Sequence, residues 1–323
     1  MELPYLIGES IIRNCHELTI KGEIMSKCYT DNRIKIMLVL MRPKHYLKNF
    51  LIFIPLVFSK NLCSPELLLK SVAGFCAFSL LTSVVYIFND IHDVEADRMH
   101  EIKRKRPIAS GKISIPFAYA MAGILLLSSI VCNATCGGGL RALIIMTLYF
   151  ITNLGYSLGL KHIPFLDVVL LVAGFLLRVM YGAALIHVGL SSWVYLTVIS
   201  LSFYLGLGKR RNELKKAGAS GKTRKVLSYY TYEFLDKFMY LCLTLAVAFY
   251  ALWSADQEVI ENYGTDKLIW TVPLVIVLLM KYSADIETNS YGDPVDVITH
   301  DKILIVLSGV FCLFLLALIY FPV

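Results

Sequence analysis

The chain has 323 residues, of which 57% are hydrophobic, with a mean hydropathy of +0.65 and a net charge of +7. So much apolar content excludes an ordinary soluble domain. Its apolar stretches recur throughout and predict an all-α polytopic membrane protein, because backbone polar groups inside a bilayer must be satisfied within the protein. The positive charge is assigned to membrane topology and anionic lipid headgroups, and no nucleic-acid partner is expected.

Residues 1–35 lack the long apolar core of a cleavable signal peptide and are expected to form a cytoplasmic extension, an amphipathic surface helix being one form open to it. Residues 36–323 are expected to form the transmembrane domain. About nine spans are predicted, at 45–60, 67–88, 115–134, 140–156, 164–186, 191–208, 236–254, 267–282 and 302–321. Arg13, Lys21, Lys27, Arg33, Lys35, Arg42 and Lys44 precede the first span. Six basic residues lie between Arg98 and Lys112, and eight between Lys209 and Lys225. The alternate loops carry little beyond Lys60, Arg141 and Lys267. This asymmetry predicts a cytoplasmic N-terminus, an outside C-terminus and residence in the inner membrane.

The first chemical element is Arg42-Pro43-Lys44-His45-Tyr46-Leu47-Lys48-Asn49, entering span one. A helix started by Pro43 would point Lys44 and Lys48 the same way. They read as snorkelling anchors or, more sharply, as a phosphate clamp together with Arg42.

At the end of the second span stands Asn89-Asp90-Ile91-His92-Asp93-Val94-Glu95-Ala96-Asp97. If the helix continues, Asp90, Asp93 and Asp97 fall at i, i+3 and i+7 on one face. Clustered carboxylates repel unless a cation lies between them, and Mg²⁺ suits one or two carboxylates completed by water and substrate phosphate. A capped, solvated loop is the blander alternative. Asn89 is suited to orient a carboxylate or bond a phosphate oxygen. Glu95 is expected to be exposed, and His92 and His100 to have surface or capping roles. Lys103, Arg104, Lys105 and Arg106 follow.

Tyr156 and Lys161 lie further along on the same side. Asp167 and Arg178, eleven residues apart in the span 164–186, are ionisable groups at membrane depth; such groups tend to face a bundle interior. Lys209-Arg210-Arg211 ends span six and reads equally as a topology signal or a phosphate contact. Asp285, Glu287, Asp293, Asp296 and Asp301 form an acidic stretch, either a second metal site or solvated surface. The eight cysteines offer no disulfide framework and are expected to be buried free thiols.

At these motifs the sequence resembles the UbiA-type intramembrane prenyltransferase superfamily, from about Met41 to the C-terminus. Asn-Asp-x-x-Asp-x-x-x-Asp at 89–97 and Arg106-Pro107-Ile108-Ala109-Ser110-Gly111-Lys112 look like its first aspartate motif and trailing segment. The resemblance implies nine helices around a cavity open to cytoplasm and bilayer. Aromatic prenyltransferases of the superfamily have a second aspartate motif after span six. Here that place reads Gly208-Lys209-Arg210-Arg211-Asn212-Glu213-Leu214, which looks like the decaprenyl-phosphate phosphoribosyltransferase branch.

That branch implies transfer of 5-phosphoribose from 5-phosphoribosyl 1-pyrophosphate to a polyprenyl phosphate, with Mg²⁺, for cell-envelope polysaccharide synthesis. Asp90, Asp93 and Asp97 are then the catalytic and Mg²⁺-holding residues. Arg42, Lys44, Lys48, Asn89, Lys103, Arg106, Tyr156, Lys161, Arg178, Lys209 and Arg210 are the expected substrate contacts. Two anionic substrates need several cations in a low-dielectric cavity, and these residues supply them. An aromatic prenyltransferase and, more remotely, a transporter are the alternatives; no internal repeat supports a transporter.

Overall fold

The computed structural model describes residues 33–220, 225–288 and 294–321. Most of the expected N-terminal extension, and Asp293, lie outside the described residues. Among the described residues the regular structure is helical throughout.

Helix α1 covers 33–41. Pro43 then opens a 3-10 helix, Pro43–Phe53, which passes into α2 (Ile54–Phe58). The long helices follow: α3 (Pro65–His92), the short α4 (Val94–Arg98), α5 (Ile115–Thr135), α6 (Leu140–Leu158), α7 (Leu166–Leu185) and α8 (Ser192–Ser220). After these come α9 (Tyr232–Ser254), α10 (Gln257–Tyr263), α11 (Val272–Thr288), α12 (Pro294–His300) and α13 (Lys302–Tyr320). Proline sits in the first turn of α3 and α5, where its missing N–H has no intrahelical partner to lose. Thr231 and Asp301 cap α9 and α13, accepting from the Phe234 and Leu304 amides at 3.1 and 2.8 Å.

Seven helices among the described residues are long and apolar enough to cross a membrane, two fewer than expected. The predicted 45–60 span is broken into a 3-10 helix and one short α turn. The predicted 191–208 span lies within α8, which mixes Ser192, Ser200, Ser202 and Tyr204 with its apolar residues and ends in charge. The chain is a multi-pass membrane protein.

Lipid tails are as apolar as leucine, so packing and polar contacts, rather than exclusion from water, hold such helices together. Phe78, Tyr149, Leu177 and Tyr181 join α3, α6 and α7, and Tyr204, Leu235, Met239 and Ile286 join α8, α9 and α11. The 3-10 helix lies against α3 and α7. A Cβ on Gly182 of α7 would overlap the Ile52 carbonyl oxygen, so this approach requires glycine.

A polar seam joins the 3-10 segment to α3. Arg42 meets Asp90 at 2.5 Å, the Tyr46 hydroxyl meets Ser83 Oγ at 2.6 Å, and Asn49 Nδ2 donates to Ser79 Oγ at 3.0 Å. Asn49 Oδ1 then accepts from Arg178 Nε at 2.8 Å, carrying the seam to the middle of α7. Of the six described cysteines all are free, but only Cys136 is buried; Cys63, Cys76 and Cys312 are exposed.

Candidate active site

The end of α3 positions the site. Helix α3 stops at His92, Asp93 caps it, and α4 restarts in nearly the same register through an Asp97 N–H to Asp93 carbonyl bond of 2.8 Å. The three expected carboxylates therefore stay together along the chain but divide in their partners. Asp90 and Asp97 are buried, and Arg106 Nη1 donates to both, at 3.2 and 2.5 Å. Arg42 Nη2 also donates to Asp90, with its guanidinium 4.9 Å from the centre of the Tyr86 ring. Asp93 turns instead to Lys161 Nζ, at 2.9 and 3.1 Å from its two oxygens.

Each cation comes from a different segment. Arg42 precedes the 3-10 helix and has a left-handed backbone, φ 55°, which a non-glycine residue holds only when its surroundings fix it. Arg106 follows the 3-10 turn Lys103–Lys105, and Lys161 lies in the 3-10 turn Leu160–His162 between α6 and α7. Asn89 Oδ1 accepts from Ser157 Oγ at 3.2 Å, which ties the end of α6 to the end of α3.

Three expected substrate contacts, Arg210, Tyr156 and Arg178, bond to groups other than the α3 acids. Arg210 is fully buried and donates to Asp167 at 2.6 Å, to Glu213 at 2.7 Å and to the Tyr156 hydroxyl at 2.9 Å. It faces inward because Asp167, at the start of α7, is buried beside it and carries the opposite charge. Arg178 is also buried, bound to Asn49, to the Gly174 carbonyl at 2.6 Å and to the Tyr149 hydroxyl at 2.8 Å. Neither guanidinium bonds to the acids at the end of α3, and Asp167 and Arg178 do not pair with each other.

Lys44 is exposed, and Lys48, Lys103 and Lys209 are half-buried. Lys44 and Lys48 do not share a face, because their helix is 3-10: three residues make a turn, so i and i+4 are about 120° apart. Glu95 is exposed and pairs with Arg98 at 3.1 Å. His92 and His100 are exposed, and His100 Nδ1 accepts from the Ile102 amide at 3.2 Å. Asn49 and Ser157 lie in the expected motifs but had no role assigned there, and Tyr149 and Tyr230 were not singled out from sequence. Only Asn49 carried a signal, an amide inside an apolar stretch.

Among the described residues no three His, Cys, Asp or Glu side chains converge as a metal-holding group. Of the three expected metal-holding carboxylates, Asp90 and Asp97 share Arg106 while Asp93 faces Lys161. Asp90 and Asp97 fit a small hard cation: a single guanidinium nitrogen already sits between one oxygen of each. A Mg²⁺-type site needs no more than one or two carboxylates if substrate phosphate completes it. The acidic stretch near the C-terminus gives no second site among the described residues. Lys281 holds both Asp285 and Asp301, Arg211 holds Glu287, and Asp296 is exposed.

An apolar cavity of about 410 Å³ opens among the 3-10 helix, α2, α8, α9, α11 and α13, lined by Phe50, Ile54, Val198, Tyr250, Phe311 and Leu315 among others.

The chain is thus a multi-helix membrane protein with paired acids and basic side chains gathered at the end of α3. Residues 52–257 match the UbiA prenyltransferase family, and the chain belongs to that family. It is 35% identical over 288 residues to a decaprenyl-phosphate phosphoribosyltransferase of Corynebacterium glutamicum, covering 86% of this chain and 85% of that protein. A protein of the same name from Mycolicibacterium smegmatis is 31% identical over 287 residues, covering 85% of this chain and 90% of the relative. The fold resembles that of a UbiA homologue from Archaeoglobus fulgidus bound to GPP and Mg²⁺, with TM-score 0.65 and 19% identity over 88% of this chain and 99% of that one.

Proposed function

We propose that this protein transfers 5-phosphoribose from 5-phosphoribosyl 1-pyrophosphate to a polyprenyl phosphate, decaprenyl phosphate being the acceptor that its relatives' name specifies. The C1–O bond to pyrophosphate breaks, a lipid phosphate oxygen bonds to C1, and pyrophosphate leaves. The observation that carries this reading is the interleaving of acids and cations: Asp90, Asp93 and Asp97 are each met by Arg42, Arg106 or Lys161. One site thus offers oxygen donors for a cation and guanidinium and ammonium groups for phosphates.

Asp90 and Asp97 would hold Mg²⁺, the pair being joined already by one Arg106 nitrogen. When bound, the metal supplies Lewis-acid neutralisation of the pyrophosphate. Arg42, Arg106 and Lys161 are the nearest donors for phosphate oxygens, Arg through paired N–H groups and Lys as a point charge. Asp93, freed from Lys161 by an incoming phosphate, adds negative field toward the positive charge developing at C1. The lipid phosphate is already ionised, so no strong general base is required. The apolar cavity has the chemistry to take the isoprenoid chain. The basic residues between Arg98 and Lys112, which follow the acids at the end of α3, support through the positive-inside rule a site and an N-terminus on the cytoplasmic side of the inner membrane.

The test is incubation of purified protein with ribose-labelled 5-phosphoribosyl 1-pyrophosphate and polyprenyl phosphate. A labelled lipid is expected. Turnover of a prenyl pyrophosphate on an aromatic acceptor, with no labelled lipid, overturns the proposal.

A further inference from the structure

We infer that the Tyr230 hydroxyl is a positioning group that holds the Lys161 loop against Asp93. It depends on the proposed reaction only for what Lys161 does with substrate.

The loop joins α6 to α7 and has a special backbone at both ends. Gly159 takes φ 142°, open to glycine, but Phe165 takes φ 65° with ψ −42°, a strained conformation for a residue with a side chain. Such strain persists only where neighbours over-determine it. The Phe165 N–H donates to the Tyr230 hydroxyl at 2.6 Å, and that hydroxyl donates to Asp167 Oδ1 at 2.7 Å. Arg210 Nε holds the other Asp167 oxygen, and Arg210 Nη2 reaches back to Tyr156 on the other side of the loop. Both loop ends therefore rest on one buried Asp167–Arg210 pair, and between them Lys161 reaches Asp93.

The chemistry of the phenol suits the task. Burial, with the Asp167 carboxylate beside it, pushes its pKa up to about 12. The hydroxyl keeps its proton, so it accepts from the amide and donates to the carboxylate at once. The Tyr230 ring also packs edge-on against the Phe165 ring, 5.7 Å between centres, so phenylalanine at 230 would keep the packing and lose the two hydrogen bonds.

The experiment compares wild type with Tyr230→Phe by hydrogen exchange and by kinetics. Exchange at the Phe165 amide is expected to rise at least tenfold, with the helix interiors unchanged. The KM for 5-phosphoribosyl 1-pyrophosphate is expected to rise about tenfold, with kcat within about twofold, and this change should vanish when both proteins carry Lys161→Ala, because groups acting through one another are not additive. Unchanged exchange, or the same KM change in both backgrounds, overturns the inference. If Tyr230→Phe fails to fold, exchange in wild type decides: a Phe165 amide that exchanges as fast as the exposed turn before it overturns the inference. Should wild type transfer no phosphoribose, the proposed reaction fails, and the exchange comparison still settles whether Tyr230 holds the loop.

Discussion

Arg178 is held by Asn49: a buried guanidinium donates to a neutral amide oxygen at 2.8 Å, and among the described residues no carboxylate pairs with it. Arginine does not give up its proton. A formal positive charge therefore stands inside the bundle, below the acids of α3. Asn49 contacts Ser79 and Thr82, and at 1.5 Å per residue Asp90 lies roughly 12–16 Å further along that helix. At such a range and an effective dielectric near 20, a unit charge contributes about 1 kcal/mol to each unit of anionic charge above it.

Replacing Arg178 with methionine should therefore weaken anionic substrate binding. The KM for 5-phosphoribosyl 1-pyrophosphate is expected to rise roughly fivefold to tenfold, equivalent to about 1 kcal/mol. Arg178→Lys, which keeps the charge, should recover most of the loss. Steady-state kinetics on the three proteins checks this, and equal defects in both variants would assign Arg178 to packing alone.

The carboxylates should separate by metal dependence. Asp90→Asn and Asp97→Asn are expected to raise the Mg²⁺ concentration giving half-maximal rate and to lower turnover on the order of 100-fold, about 2.7 kcal/mol. Asp93→Asn should lower turnover with little change in that concentration, because Asp93 faces Lys161. Rates measured across a Mg²⁺ titration distinguish these outcomes. Chelation should abolish turnover in wild type, and added Mg²⁺ should restore it.

Gly182→Ala should destabilise the bundle without touching the site. Its new methyl would collide with backbone at Ile52, which has no rotamer to change. Overpacking of this kind costs about 1–3 kcal/mol. Thermal unfolding in detergent should show a lower midpoint, whereas Gly123→Ala, inside α5 with open space around its Cβ position, should leave it unchanged or raise it, alanine being the better helix former.

Stability should also respond to acid through Asp301. The Lys281 ammonium and the Leu304 amide hold its carboxyl below the usual carboxylate range. A group whose folded pKa is lowered contributes in full above its unfolded value, about 3.9, and loses that contribution as pH falls through the folded value. The wild-type melting temperature should therefore drop below about pH 4, and Asp301→Asn should flatten that part of the profile.

The acid cluster is visible in the sequence because three carboxylates at helical spacing beside an apolar run repel one another unless cations stand among them. Asp90 and Asp97 are buried with such cations, and Arg106 is marked by the segment that follows them. The direction taken by Arg210 is not visible. Its charge run at the end of α8 resembles an ordinary topology signal, and its partner Asp167 is 43 residues away. The 3-10 geometry of Pro43–Phe53 is hidden for a different reason: nothing local distinguishes i→i+3 from i→i+4 bonding, so the expected alignment of Lys44 with Lys48 fails. Tyr230 gives no sign at all, since its partners are a backbone amide and an aspartate at the start of α7.

The seam along α3 has a consequence for biogenesis. Segment 43–58 carries a buried asparagine and a tyrosine hydroxyl whose partners belong to later parts of the chain. Left alone among lipid tails it would strand those groups. It must therefore wait at the interface until α3, and then α7, emerge from the insertion machinery. Arg42, the N-terminal cation beside the α3 acids, is thus delivered by a segment that is made before α3 and α7 but settles only after both.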